Sequence, residues 1–241
     1  MTASGEPGSG SPAEGFESVT NFSPFYRLMI WLFLLLYILP LVLFNYVVFG
    51  LRVRGKQHLD RRSGRGVILV SNHSLYLDPA ILIHTLLPRR AYYTALKSHF
   101  NNPMGGALLR LMGGIPIPGK WGMRKAERTV RQALDLGYDV HFFPEGHLTH
   151  LNQQPTAFQV GAFYLAVRLQ ASIVPITITY RPRQWFGKSL SRRFIRVQSV
   201  IGEAIEVQKA PGESDRTAAE RISGLVRSQM LEVLNRGRQT P

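Results

Sequence analysis

Twenty-two consecutive residues without a charge, Leu28 to Phe49 (LMIWLFLLLYILPLVLFNYVVF), constrain this chain more than any other feature. As a helix rising about 1.5 Å per residue they reach roughly 33 Å, the thickness of a bilayer's hydrocarbon core. The preceding stretch carries Glu6, Glu14 and Glu17 where a secretion signal has a basic region, and no small-residue cleavage site succeeds it. The segment is therefore expected to stay on the protein. Pro40 lies in its middle and has no N–H to donate, which leaves one membrane helix and a helical hairpin both open. A buried core helix is the competing reading, although soluble cores rarely supply so long an uncharged run. Next come Arg52, Arg54, Lys56, Arg61, Arg62 and Arg65, which argue that the domain carboxyl-terminal to the segment lies on the cytoplasmic face, held against anionic headgroups.

The 241 residues suffice for one domain of moderate size with appendages. No cysteine is present. That excludes a disulfide scaffold, a thiolate zinc site, an iron–sulfur cluster and a cysteine nucleophile. With 29 Lys+Arg against 15 Asp+Glu, the net charge of +14 calls for a polyanionic neighbour, either nucleic acid or anionic lipid. The cations are spread along the chain without an aromatic-interleaved nucleic-acid motif, so membrane lipids are the expected partner and nucleic acid is not. Arg181, Arg183, Lys188, Arg192, Arg193 and Arg196 read equally as a membrane-facing patch and as a solvated loop.

Residues 1–20 are rich in Gly, Ser, Pro and Glu and read as a disordered tail; 24–50 form the membrane-anchoring segment, and 51–241 one folded domain. Within that domain short apolar runs alternate with helical patterns. Strands are expected at 66–72, 91–96, 139–143, 173–180 and 194–200, and helices at 79–87, 103–112, 123–136 and 156–169. A last helix is capped by Asp215, with Ile222, Leu225, Val226, Leu231 and Leu234 facing inward. The alternation predicts an α/β fold: a central, mostly buried sheet flanked by helices, preceded by the hydrophobic helix or hairpin, with reactive residues at the carboxyl ends of strands.

Two groups of residues fall at such ends. Asn72-His73-Ser74-Leu75-Tyr76-Leu77-Asp78 comes directly after the strand GVILV, and Pro79 opens the next helix. A His and an Asp five apart do not share a helical face, so only a turn brings them together, and Pro79 favours one there. An imidazole held by a carboxylate at one nitrogen offers the other as a general base. The plainer readings are that Asp78 caps the helix and His73 is an ordinary loop histidine. The second group, Phe142-Phe143-Pro144-Glu145-Gly146, is a turn that leaves Glu145 and the Gly146 backbone at the crevice, where a carboxylate accepts from a substrate hydroxyl; an ordinary surface turn is the alternative.

Together these groups resemble the glycerolipid acyltransferases of the lysophosphatidic acid (1-acylglycerol-3-phosphate) acyltransferase type, with their Asn-His-x4-Asp and Phe-Pro-Glu-Gly blocks. The likeness runs from Val53-Arg54-Gly55, through Lys97 and Gly113-Gly114-Ile115, to Val174-Pro175-Ile176. It implies that 51–241 is an acyltransferase domain, that His73 is the general base, and that Asp78 orients it. It further implies that Asn72, Glu145 and Gly146 help to seat the acceptor, and that the donor is acyl-CoA or acyl carrier protein, with no cofactor or metal.

Two departures bear on the acceptor. Where the family's third block continues Thr-Arg-Ser, this chain has His147-Leu148-Thr149, and where its second block ends Ile-Asp-Arg, this chain has Ile117-Pro118-Gly119-Lys120. Lys120 and Arg124 are the cations that stand nearest for an acceptor phosphate, and lysine meets phosphate as a point charge, not as a bidentate fork. The resemblance thus implies transfer to a lysophosphatidic-acid-like hydroxyl, with a lysophospholipid or amine-headed lyso-lipid as the alternative acceptor. A non-catalytic protein that binds lipid or acyl carrier is the alternative from another class. No G-x-S-x-G elbow supports a serine hydrolase. Gly114 to Lys120 has phosphate-loop spacing, yet Trp121 replaces the magnesium-binding hydroxyl and two prolines remove N–H donors. His141, His147 and His150 lack metal-ligand spacing and read as a solvated or substrate-facing cluster.

Overall fold

The structure, a computed structural model, describes residues 24–59, 64–102, 106, 109–110, 113–117, 123–150, 154–182, 184–185, 188–189 and 195–239. The expected tail at 1–20, Arg61, Arg62, Lys120, Arg183, Arg192 and Arg193 lie outside the described residues, as does most of the helix expected at 103–112.

The strands are β1 (Arg52–Arg54), β2 (Ile68–Ser71), β3 (Ala91–Leu96), β4 (Ile115–Ile117), β5 (Asp139–Phe142), β6 (Ile173–Pro182), β7 (Gln184–Trp185), β8 (Lys188–Ser189) and β9 (Ile195–Ile201). Seven of them form one sheet in the order β1-β9-β6-β2-β5-β3-β4, while β7 and β8 pair separately. Every neighbour in the large sheet is parallel except β6 and β9. The helices are α1 (Pro24–Phe49), α2 (Asp78–Leu86), α3 (Met123–Asp135), α4 (Gly161–Leu169) and α5 (Asp215–Gln239).

Alternation along the strands sorts the side chains into two cores. Ile68, Val70, Val140 and Phe142 pack with Val130 and Leu134 of α3, Phe163 and Leu165 of α4, and Ile222 and Val226 of α5. Leu69, Val174, Ile176, Ile178 and Tyr180 pack on the other face, against Ile81 and Leu82 of α2 and Leu41 and Phe49 of α1. The expected flanked α/β sheet is what forms, and β3 matches the expected 91–96 run. The two short strands β1 and β4 were not expected; β4 is a three-residue edge strand whose Pro116 is tolerated because an edge can lack a donor.

At the amino end, Pro24–Phe49 form a single 26-residue helix that continues through Pro40. A hairpin is not formed. Among the described residues no helix is long and apolar enough to cross a membrane, so a spanning form of the expected anchoring segment is not supported. The carboxyl end of α1 is docked on the folded domain: Leu41 and Phe49 are buried, and the Asn45 side chain donates to Ala80 O at 3.1 Å. At the other end, α5 begins at Asp215, but the cap is Ser214, whose hydroxyl accepts from the Thr217 N–H at 3.1 Å. Asp215 instead pairs with Lys209 at 2.6 Å, and Leu225, expected inward, is exposed.

Candidate active site

The parallel strands β2 and β5 lie side by side, with Leu69 opposite His141, and they end together. The alternation that turns Leu69 toward α2 also carries Ser71, then His73, onto that face; on β5 it carries Asp139, His141 and Phe143. The two expected groups therefore meet at one strand-end crevice.

The turn after β2 is closed by Asp78. Its Oδ2 accepts from the Ser74 N–H at 2.7 Å and the Leu75 N–H at 2.9 Å, and stands 2.9 Å from His73 Nδ1. Its Oδ1 accepts from the phenol of Tyr180 at the far end of β6. Asp78 is buried, while the His73 side chain keeps 20% of its surface exposed. Backbone donors aimed at the carboxylate compensate its removal from water. Asp78 thus faces back into its own turn and does not cap α2 through its side chain. Burial, and next the Asp78 charge, push the Tyr180 phenol well above its ordinary range, so it acts as a donor. With Nδ1 facing Asp78, Nε2 is the ring atom left for a ligand. The imidazole also stacks on Phe143, with centroids 3.9 Å apart and planes at 20°.

Glu145 comes from the turn after β5. The sequence placed its carboxylate facing a substrate, and the structure turns it onto the protein. Oε1 accepts from the His73 N–H at 2.9 Å; Oε2 accepts from the Thr156 N–H at 3.0 Å and the Thr156 hydroxyl at 2.9 Å. Asn72 is likewise turned inward: Oδ1 accepts from the Ile178 N–H at 2.8 Å and Nδ2 donates to Ile178 O at 2.9 Å, which pins the turn to β6. Gly146 has φ of +70°, and a Cβ there would fall 2.1 Å from Gln159 Nε2, so only glycine suits the turn. Glu145 also explains a boundary: the helix expected from Thr156 begins at Gly161, because Thr156 and Gln159 give their N–H groups to Glu145 and to Pro144 O.

The cations expected near an acceptor phosphate are less informative. Arg124 lies in the first turn of α3, and Lys120 is outside the described residues. Sequence reasoning missed Tyr180, Thr156 and Phe143. It also read His141 as solvated or substrate-facing, which is a correction: His141 is fully buried, with Nε2 2.9 Å from the Ser71 hydroxyl. Burial, and next the charge of His73, lower its pKa to about 3. It makes no pair with Asp139, whose carboxylate accepts from the Val67 N–H and from Arg89. Among the described residues no group of three or more His, Cys, Asp or Glu is arranged to hold a metal ion.

Residues 50–179 match the family model described as Acyltransferase. The human 1-acyl-sn-glycerol-3-phosphate acyltransferase beta is 31% identical over 136 residues, covering 53% of this chain and 46% of that protein. The lysophospholipid acyltransferase LPEAT2 of Arabidopsis thaliana is 25% identical over 191 residues, covering 76% of this chain and 34% of that protein. This chain thus spans less than half the length of both relatives. The crystal structure of the 1-acyl-sn-glycerophosphate acyltransferase PlsC from Thermotoga maritima superposes with a TM-score of 0.54 at 17% identity, covering 91% of this chain and 92% of that one, which speaks to the fold alone.

Proposed function

This chain belongs to the acyltransferase family, and we propose that it is of the 1-acylglycerol-3-phosphate acyltransferase type that its relatives' names carry, moving a fatty acyl group from an acyl thioester to a lyso-lipid hydroxyl. The donor is acyl-CoA or acyl carrier protein, the acceptor resembles lysophosphatidic acid, and the setting is phospholipid biosynthesis. One observation carries the reading: the 2.9 Å contact between His73 Nδ1 and the buried Asp78 carboxylate. It supports an imidazole held with Nδ1–H toward the acid and Nε2 as the base.

The acceptor hydroxyl gives its proton to Nε2 as its oxygen attacks the thioester carbonyl. The new C–O bond forms, the C–S bond breaks, and the leaving thiolate takes the proton back from the imidazolium. No covalent enzyme intermediate and no cofactor is required. Asp78 stabilises the transient imidazolium, and such general-base assistance is typically worth about 10² to 10⁴-fold. Glu145 and Asn72 contribute by holding the turn, while Gly146 and His147 just after Glu145 are exposed.

A lysophospholipid acceptor is the second reading. It is favoured by Leu148 standing where the family has an arginine, and by the likeness to LPEAT2 across 76% of this chain. We also place the protein at a membrane surface, catalytic domain toward the cytoplasm. Leu28, Trp31, Leu35, Leu36 and Leu39 of α1 are exposed and apolar, and the basic run lies just beyond them. Incubation with labelled acyl thioester and a panel of lyso-lipids tests the function: thiol release that depends on an acceptor supports transfer, and which acceptor separates the two readings. Binding without release would leave a lipid-binding protein instead. Release from membranes at high ionic strength would contradict apolar attachment.

A further inference from the structure

The stretch between the Pro144-Glu145-Gly146 turn and α4 is tied to His73 through a single carboxylate. Thr156 gives two donors to one Glu145 oxygen, and the other oxygen holds the His73 N–H. The Gln159 N–H donates to Pro144 O at 2.7 Å, and the Gln159 amide lies against Gly146. Behind this stretch, Arg227 of α5 donates to Pro155 O at 3.1 Å and toward Thr156 O at 3.4 Å. Three links thus run from the carboxyl-terminal helix to the backbone of His73. Glu145 is only 3% exposed. A buried carboxylate that loses a donor keeps its desolvation cost and must seek another partner, which loosens everything else it holds.

We propose that Thr156 and Arg227 are positioning residues for His73, acting through Glu145. The inference rests on His73 being the base, but the mechanical link is measurable without it. Hydrogen exchange at the His73 amide reads the Glu145 bond directly, and the Ile178 amide, held by Asn72, serves as the internal control.

In Thr156→Val the His73 amide is expected to exchange about tenfold faster relative to Ile178, the size of one lost hydrogen bond. Thr156→Ser should return it to within about threefold of the parent, and Arg227→Gln should raise it about threefold. In turnover, Thr156→Val should lower kcat about tenfold while the acceptor KM stays within about twofold, since an altered base geometry acts on the transition state and not on ground-state binding. A folded Thr156→Val protein with parental exchange at His73, or one that raises KM alone, overturns the proposal. So does a serine variant that fails to restore what valine removes. Should Thr156→Val not fold, Arg227→Gln decides by the same exchange ratio. Faster exchange in a protein with no transferase activity would uphold the brace and defeat the reading of the site.

Discussion

His73 and His141 lie on one face of the sheet, at the ends of adjacent strands, with the Phe143 ring between them. Their surroundings differ in one respect that decides their chemistry. His73 meets a carboxylate at Nδ1 and keeps a fifth of its side chain exposed; His141 meets a hydroxyl and is fully buried. Burial without a counter-charge holds His141 neutral, whereas His73 has the Asp78 carboxylate beside it. In the proposed mechanism, proton transfer is set by which imidazole has an acid behind it and an open nitrogen in front. Nearness to the crevice alone does not select between them.

The largest way to break this contrast is His73→Ala, which should cost about 10² to 10⁴-fold in acyl transfer while circular dichroism stays parental. Asp78→Asn should come second, with a loss on the order of 10²-fold, because an amide neither fixes the tautomer nor balances the imidazolium. Its thermal midpoint should fall too, since one of the groups gathered on the carboxylate then faces another donor. Glu145→Gln should lower unfolding free energy in urea by about 1–3 kcal/mol, one oxygen's donors losing their acceptor. The smallest effect belongs to His141→Gln at neutral pH, where neither state of the parent His141 holds a proton. Between pH 6.5 and about 3 the unfolded chain binds a proton there and the folded chain does not. Parent stability therefore falls as pH drops below 6.5, and His141→Gln should flatten that fall when melting temperature is followed from pH 7 to pH 5.

The same contrast marks what the sequence made legible. Strand positions came from apolar runs, and the ends of β2 and β5 placed both reactive groups in one crevice, because strand-end geometry is local and periodic. His73 with Asp78 was legible for the same reason, the two being five apart in one turn followed by Pro79. The hidden part lies across long separations. Tyr180 reaches Asp78 from 102 residues away, Asn72 pairs with Ile178 from 106, and Glu145 ties His73 from 72. No period encodes such contacts, so Glu145 and Asn72 read as substrate-facing when their polar atoms are turned inward. His141 was misread because an alternating strand end looks the same whether or not a neighbouring helix covers it. The uncharged run of α1 does not show where its exposed part ends: it continues into Leu41 and Phe49, which belong to the folded core.

The central claim is tested most directly by measuring acceptor-dependent thiol release for His73→Ala and His141→Gln side by side with the parent. The account predicts loss of at least about 10²-fold in the first and activity within about threefold of the parent in the second. Equal losses in the two, or a His73→Ala protein that still turns over while His141→Gln does not, would contradict it.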